Sequence, residues 1–80
     1  MMLTISLRQL PDSKNITVMV DEEQTISGTL RILIQAGIIE NRMYHTVQSY
    51  RSKERIAITS TYKKGNIYNG DILILKPLRL

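Results

Sequence analysis

The feature that most restricts this chain is a change of hydrophobic period that happens once and then reverts. Leu3, Ile5 and Leu7 alternate with Thr4, Ser6 and Arg8, and Ile16, Val18 and Val20 alternate with Thr17 and Met19. A period of two marks strands with one buried face. Between the two runs, Pro11-Asp12-Ser13-Lys14-Asn15 carries turn chemistry, since proline presets φ and Asp and Asn bond their own backbone. The pair therefore reads as an N-terminal hairpin. Ile26, Leu30, Leu33 and Gly37 then follow at steps of four, three and four, which puts one apolar stripe along a helix over about 26–36. Thr25 is placed to cap its N-terminus, Asp21-Glu22-Glu23 stand where negative charge suits the helix dipole, and Gly37 can end it in a left-handed conformation.

After the helix, 38–44 has no clear period and reads as a connector. Thr46–Arg51 is β-prone, Ser52-Lys53-Glu54 is a turn, and Arg55-Ile56-Ala57-Ile58 is a short strand. The stretch 59–69 reads as loop or a single helical turn, with Ile67 anchoring it and Tyr62 and Tyr68 packing on either side. Asn69-Gly70-Asp71 is a strong turn signal. Ile72-Leu73-Ile74-Leu75 is apolar at every position, as suits a strand with neighbours on both sides. The order is strand, strand, helix, three strands. A sheet must cover its apolar face, and a single helix is the only cover available. The expected architecture is α+β, a mixed four- or five-stranded sheet packed on one helix, in a single domain spanning 1–80.

Size and composition narrow the functional classes. A domain of 80 residues buries only about 60% of the surface its unfolded chain exposes, which leaves little for a deep catalytic cleft. There is no cysteine, so disulfides, thiolate catalysis and the common structural zinc sites are excluded. His45 is the only histidine, and three consecutive acids at 21–23 cannot converge on one metal ion. No nucleophile has a base and an orienting partner, and no glycine-rich loop cradles a phosphate. The expectation is a chain that is not an enzyme and carries no cofactor. The longest apolar stretch, 30–39, is interrupted by Arg31, Gln35 and Gly37 and falls far short of the roughly 20 residues of a membrane span. With no secretion signal either, a cytoplasmic protein is expected. The net charge of +4 comes from cations scattered along the chain, with only Lys63-Lys64 adjacent, which argues against a dedicated nucleic-acid face.

Val20-Asp21-Glu22-Glu23-Gln24-Thr25-Ile26 and Ala36-Gly37-Ile38 resemble the segments by which ubiquitin enters and leaves its helix. Thr61-Tyr62 to Ile67, then Asn69-Gly70-Asp71-Ile72-Leu73-Ile74-Leu75, looks like the last turn and strand of ubiquitin-like domains, and Leu78-Arg79-Leu80 echoes the ubiquitin tail. The resemblance implies a ubiquitin-like β-grasp fold. Conjugated relatives end in Gly-Gly, which threads the activating enzyme's site, whereas no glycine follows Gly70 here, so covalent conjugation is not expected. Among non-conjugated relatives the chain is similar to the YukD/EsaB family, in length, in starting at the first strand, and in Asn69-Gly70-Asp71-Ile72-Leu73. That likeness implies a bacterial cytosolic accessory or regulatory component of a type VII (WXG/ESX-like) secretion system, with secretion-machinery proteins as partners. It carries over no catalytic residues. Two other readings stay open: a small β-grasp subunit of a multicomponent enzyme, and a basic β-grasp protein that binds nucleic acid.

Strand alternation supplies a candidate docking face. If Ile72 and Ile74 face the helix, Leu73 and Leu75 point outward on a sheet face that nothing in the chain covers. Gln48 and Tyr50 would flank them on one side and Arg8 and Ser6 on the other. An exposed apolar pair rimmed by basic and aromatic groups suits a protein partner or a homodimer.

Overall fold

The computed structural model describes residues 1–10 and 14–77. The turn expected around Pro11-Asp12-Ser13 and the tail at Leu78-Arg79-Leu80 lie outside the described residues. The elements are β1 (Met2–Gln9), β2 (Asn15–Asp21), α1 (Ile26–Gln35), β3 (Thr46–Ser49), β4 (Arg55–Ala57) and β5 (Ile72–Leu75). They form one five-stranded sheet in the order β2-β1-β5-β3-β4. β1 and β5 run parallel, and every other pairing is antiparallel. With the one helix against one face, this is the ubiquitin-like β-grasp arrangement expected from the sequence.

The helix begins and ends where its sequence directs. Thr25 has extended backbone and its hydroxyl accepts from the Gly28 N–H at 3.2 Å. The N–H groups of Ile26 and Ser27 donate to the carbonyls of Ser60 and Ile58, so the loop after β4 satisfies donors that a helix start leaves open. At the other end Gly37 has φ +72°, a left-handed conformation that a side chain would oppose. The acids before the helix also have local partners. Asp21 accepts from the Glu23 N–H, Glu22 lies 3.4 Å from the N-terminal amine, and Glu23 lies 3.6 Å from Lys63.

Ile26, Leu30 and Leu33 of α1 close over Leu3, Ile5 and Leu7 of β1, Val20 of β2, Val47 of β3 and Ile56 of β4. Ile67 anchors the long loop as expected. Tyr62 is fully buried beside it, but Tyr68 is not packing: it is exposed, with the Arg51 guanidinium 4.6 Å from its ring centre. Burial raises the pKa of the Tyr62 hydroxyl above its ordinary 10, with Thr29 offsetting part of the rise. The two side chains do not complete a hydrogen bond, so the hydroxyl stays unsatisfied in the interior. The connector also contributes to the core: Ile39 and Tyr44 are buried, and the Gln9 amide donates to the Tyr44 hydroxyl and the Glu40 carbonyl.

Candidate functional site

The central strand has the opposite facing to the one expected. Leu73 and Leu75 are 0% exposed and belong to the core, whereas Ile72 and Ile74 are half-buried on the outer face. The cause is register. Residues paired across neighbouring strands share a face, and Leu73 lies opposite Leu7 of β1 and Ser49 of β3, both inward. The clear alternation of β1 therefore dictates the facing of β5. Leu73 and Leu75 are withdrawn from the docking face.

The remaining expected residues do come together. Ile74 pairs with Arg8 on one side and Gln48 on the other, and those continue to Asn15 and Arg55, forming one row across the outer face. The next row runs through Thr17, Ser6 and Ile72. Tyr50 lies just beyond the end of β3, but its N–H donates to the Ile72 carbonyl at 2.8 Å, which continues that row.

Cations hold Tyr50 in position. The Lys53 amine sits 4.0 Å from the ring centre and the Arg8 guanidinium 6.0 Å. Each contact contributes about 0.5–1 kcal/mol at an exposed site. Arg8 is oriented by donating from Nε to the Asn15 side chain at 2.8 Å. Lys53 adopts φ 63°, and its carbonyl accepts from the Gln48 amide at 3.1 Å. The turn that presents Tyr50 and Lys53 is tied down from below. The Ser49 hydroxyl donates to the buried Asp71 carboxylate (3.1 and 2.9 Å) and accepts from the Ser52 N–H. Arg51 approaches the same carboxylate at 3.8 Å and donates to the Asn66 carbonyl. A shallow depression of about 170 Å³ lined by Tyr50, Asn69, Gly70 and Ile72 adjoins the pair.

The arrangement offers an aliphatic centre and an aromatic ring, and every charged side chain in its two rows is basic. The outer isoleucines could not be read from Ile72-Leu73-Ile74-Leu75 alone, because either facing buries two branched residues. The signal that finds them is the alternation of β1, once β5 is paired to it. Among the described residues, no group of three or more His, Cys, Asp or Glu side chains comes together. No helix among them is long and apolar enough to cross a membrane.

No protein-family description matches the chain, and no curated protein does. Solved structures do. A de novo design based on ubiquitin is 22% identical with a TM-score of 0.77, over 99% of this chain and 92% of the design. The ubiquitin of Caldiarchaeum subterraneum is 12% identical with a TM-score of 0.67, over 100% of this chain and 98% of that one. The ubiquitin-like domain of EccD5 from Mycobacterium xenopi is 15% identical with a TM-score of 0.65, again over 100% and 98%. What unites the chain with these structures is its backbone: it has the ubiquitin-like β-grasp fold.

Proposed function

We propose that this chain is a non-catalytic docking module that engages a protein partner through the outer sheet face centred on Ile72 and Ile74. The observation that carries the reading is that half-buried aliphatic pair on the central strand, rimmed by Arg8, Gln48 and Tyr50. Aliphatic centres with aromatic and arginine rims are what protein interfaces enrich. The partner belongs to a type VII secretion apparatus, met on its cytoplasmic side. Two likenesses support this placement: the sequence resemblance to the YukD/EsaB family, and the backbone match to the EccD5 domain, itself from a type VII system.

A second reading has a specific observation in its favour. The chain is also similar to a component of the toluene 4 monooxygenase HD complex, at 12% identity and a TM-score of 0.62, over 95% of this chain and 100% of that one. There the same face would dock on an oxygenase. Affinity capture from the cytoplasm and membranes of the native cell separates the two. Wild-type chain is expected to retain secretion-machinery proteins, and Ile74→Asp to lose them while keeping its fold. Recovery of oxygenase subunits would favour the second reading, and equal capture by folded Ile74→Asp would sink the docking face. A nucleic-acid role would instead show as binding that weakens steeply with salt.

A further inference from the structure

The two open borders of the sheet are built differently. At one, β4 is three residues long and starts on exposed Arg55, close after exposed Lys53. Short, cationic borders resist pairing with another chain. At the other, β2 runs for seven residues, and its centre, Ile16-Thr17-Val18-Met19-Val20, holds no proline, glycine or charge. β-Branched residues dominate it, as suits a strand paired on both sides. β2 has β1 on one side and no described strand on the other.

Its free hydrogen-bonding groups can be identified. The Glu22 N–H donates to the Met1 carbonyl at 3.0 Å. Bonding alternates along an antiparallel ladder, so Val20, Val18 and Ile16 also spend their groups on β1. Asn15, Thr17 and Met19 therefore turn theirs to the open border, while both backbone groups of Asp21 are taken up by Gln24. Beside that border a groove of about 160 Å³ runs between β2 and α1, lined by Val18, Val20, Ile32 and Leu33, with Ile32 and Met19 exposed at 59% and 67%.

We propose that β2 pairs antiparallel with β2 of a second copy about a two-fold axis at Val18, joining the two sheets edge to edge. Charge selects both the occupant and the register. Lys14 precedes the strand, and Asp21 and Glu22 end it. Antiparallel self-pairing brings unlike ends together, whereas parallel pairing sets like charges side by side. The alternation of free groups permits central registers on Thr17, Val18 or Met19. Only the Val18 register puts Lys14 opposite Glu22 of the second copy, and it does so twice per dimer. It also sets Thr17 against Met19, both with free groups, and brings the Val18 side chains together on the helix-bearing side, next to the two grooves. The pairing uses the long open border of each copy, so assembly stops at two.

Sedimentation of the whole chain over a dilution series tests this, together with amide hydrogen exchange. The expected mass at high concentration is twice the 9.2 kDa chain. The Thr17 and Met19 amides should gain protection as concentration rises, with no change at β4. Thr17→Pro removes an outward N–H and no bond to β1, and is expected to yield a folded monomer. Lys14→Glu should weaken the dimer about tenfold, because two ion pairs become two repulsions. Adding Glu22→Lys should restore it, whereas Glu22→Lys alone, which sets like charges opposite Lys14, should weaken the dimer as Lys14→Glu does. A single-chain mass throughout the series, a dimer unaffected by both Thr17→Pro and Lys14→Glu, or one broken by Ile74→Asp instead, would overturn the proposal.

Discussion

Truncating each member of the pair Leu73 and Ile74 tests the facing of β5 more directly than any other change. Leu73 is 0% exposed, in register with Leu7 and Ser49. Leu73→Ala loses about 0.8 kcal/mol for each of the three carbons removed, and the cavity left behind adds about 1 kcal/mol, for a total near 3–4 kcal/mol. A domain of 80 residues has about 4–12 kcal/mol of stability in all, so this is a large fraction of it. At about 4–8 °C per kcal/mol for a domain of this size, Tm should fall by roughly 12–32 °C. Ile74 is half-buried on the outer face between Arg8 and Gln48, and Ile74→Ala should cost about 1 kcal/mol. Urea unfolding followed by circular dichroism measures both, with an unchanged m-value as the check that only the native state is perturbed. If Leu73→Ala costs less than about 1 kcal/mol, or Ile74→Ala costs the more of the two, the strand is turned the other way and the docking face is wrong.

Two further changes probe the interior. Tyr62 titrates above its unfolded value of 10, so the unfolded chain releases that proton first and stability falls as pH rises past 10. Tyr62→Phe should remove this part of the alkaline loss and be neutral or slightly stabilising at pH 7, since the hydroxyl it deletes has no partner; thermal melts from pH 7 to 11 compare the two proteins. Asp71→Ala strips the Ser49 hydroxyl of its acceptor and loosens the turn bearing Tyr50 and Lys53, at an expected cost of about 2 kcal/mol in a chemical denaturation series.

Elements with one strong period are legible in the sequence. The alternation of β1 correctly named Leu3, Ile5 and Leu7 as core, and the stripe through Ile26, Leu30 and Leu33 located the helix to within a residue of its end. What failed was whatever depends on a neighbour. Four apolar residues in a row carry no facing of their own, so β5 took its orientation from Leu7, which no local pattern encodes. Tyr44 sits in a stretch without period, and its burial follows from Gln9 reaching across to it. Tyr68 is amphipathic, and the cation of Arg51 drew it to the surface rather than the core. Arg8, Gln48 and Tyr50 still meet on the outer face, because Arg8 and Gln48 lie on strands adjoining β5 and Tyr50 bonds Ile72 from just beyond β3, while the apolar centre beside them moves by one residue.

The parallel pairing of β1 with β5 has a consequence for how this molecule is made. The strand nearest the start of the chain can take its place beside the central strand only after that strand, Ile72–Leu75, has been synthesised. Until then no strand bridges the β1–β2 pair and the β3–β4 pair, and only α1 and loop contacts connect them. Folding must therefore wait for a distant closure, which is slow in chains of this topology. A nascent chain arrested before β5 would emerge as two sticky halves, and a ribosome stalled there is where chaperones should be found attached.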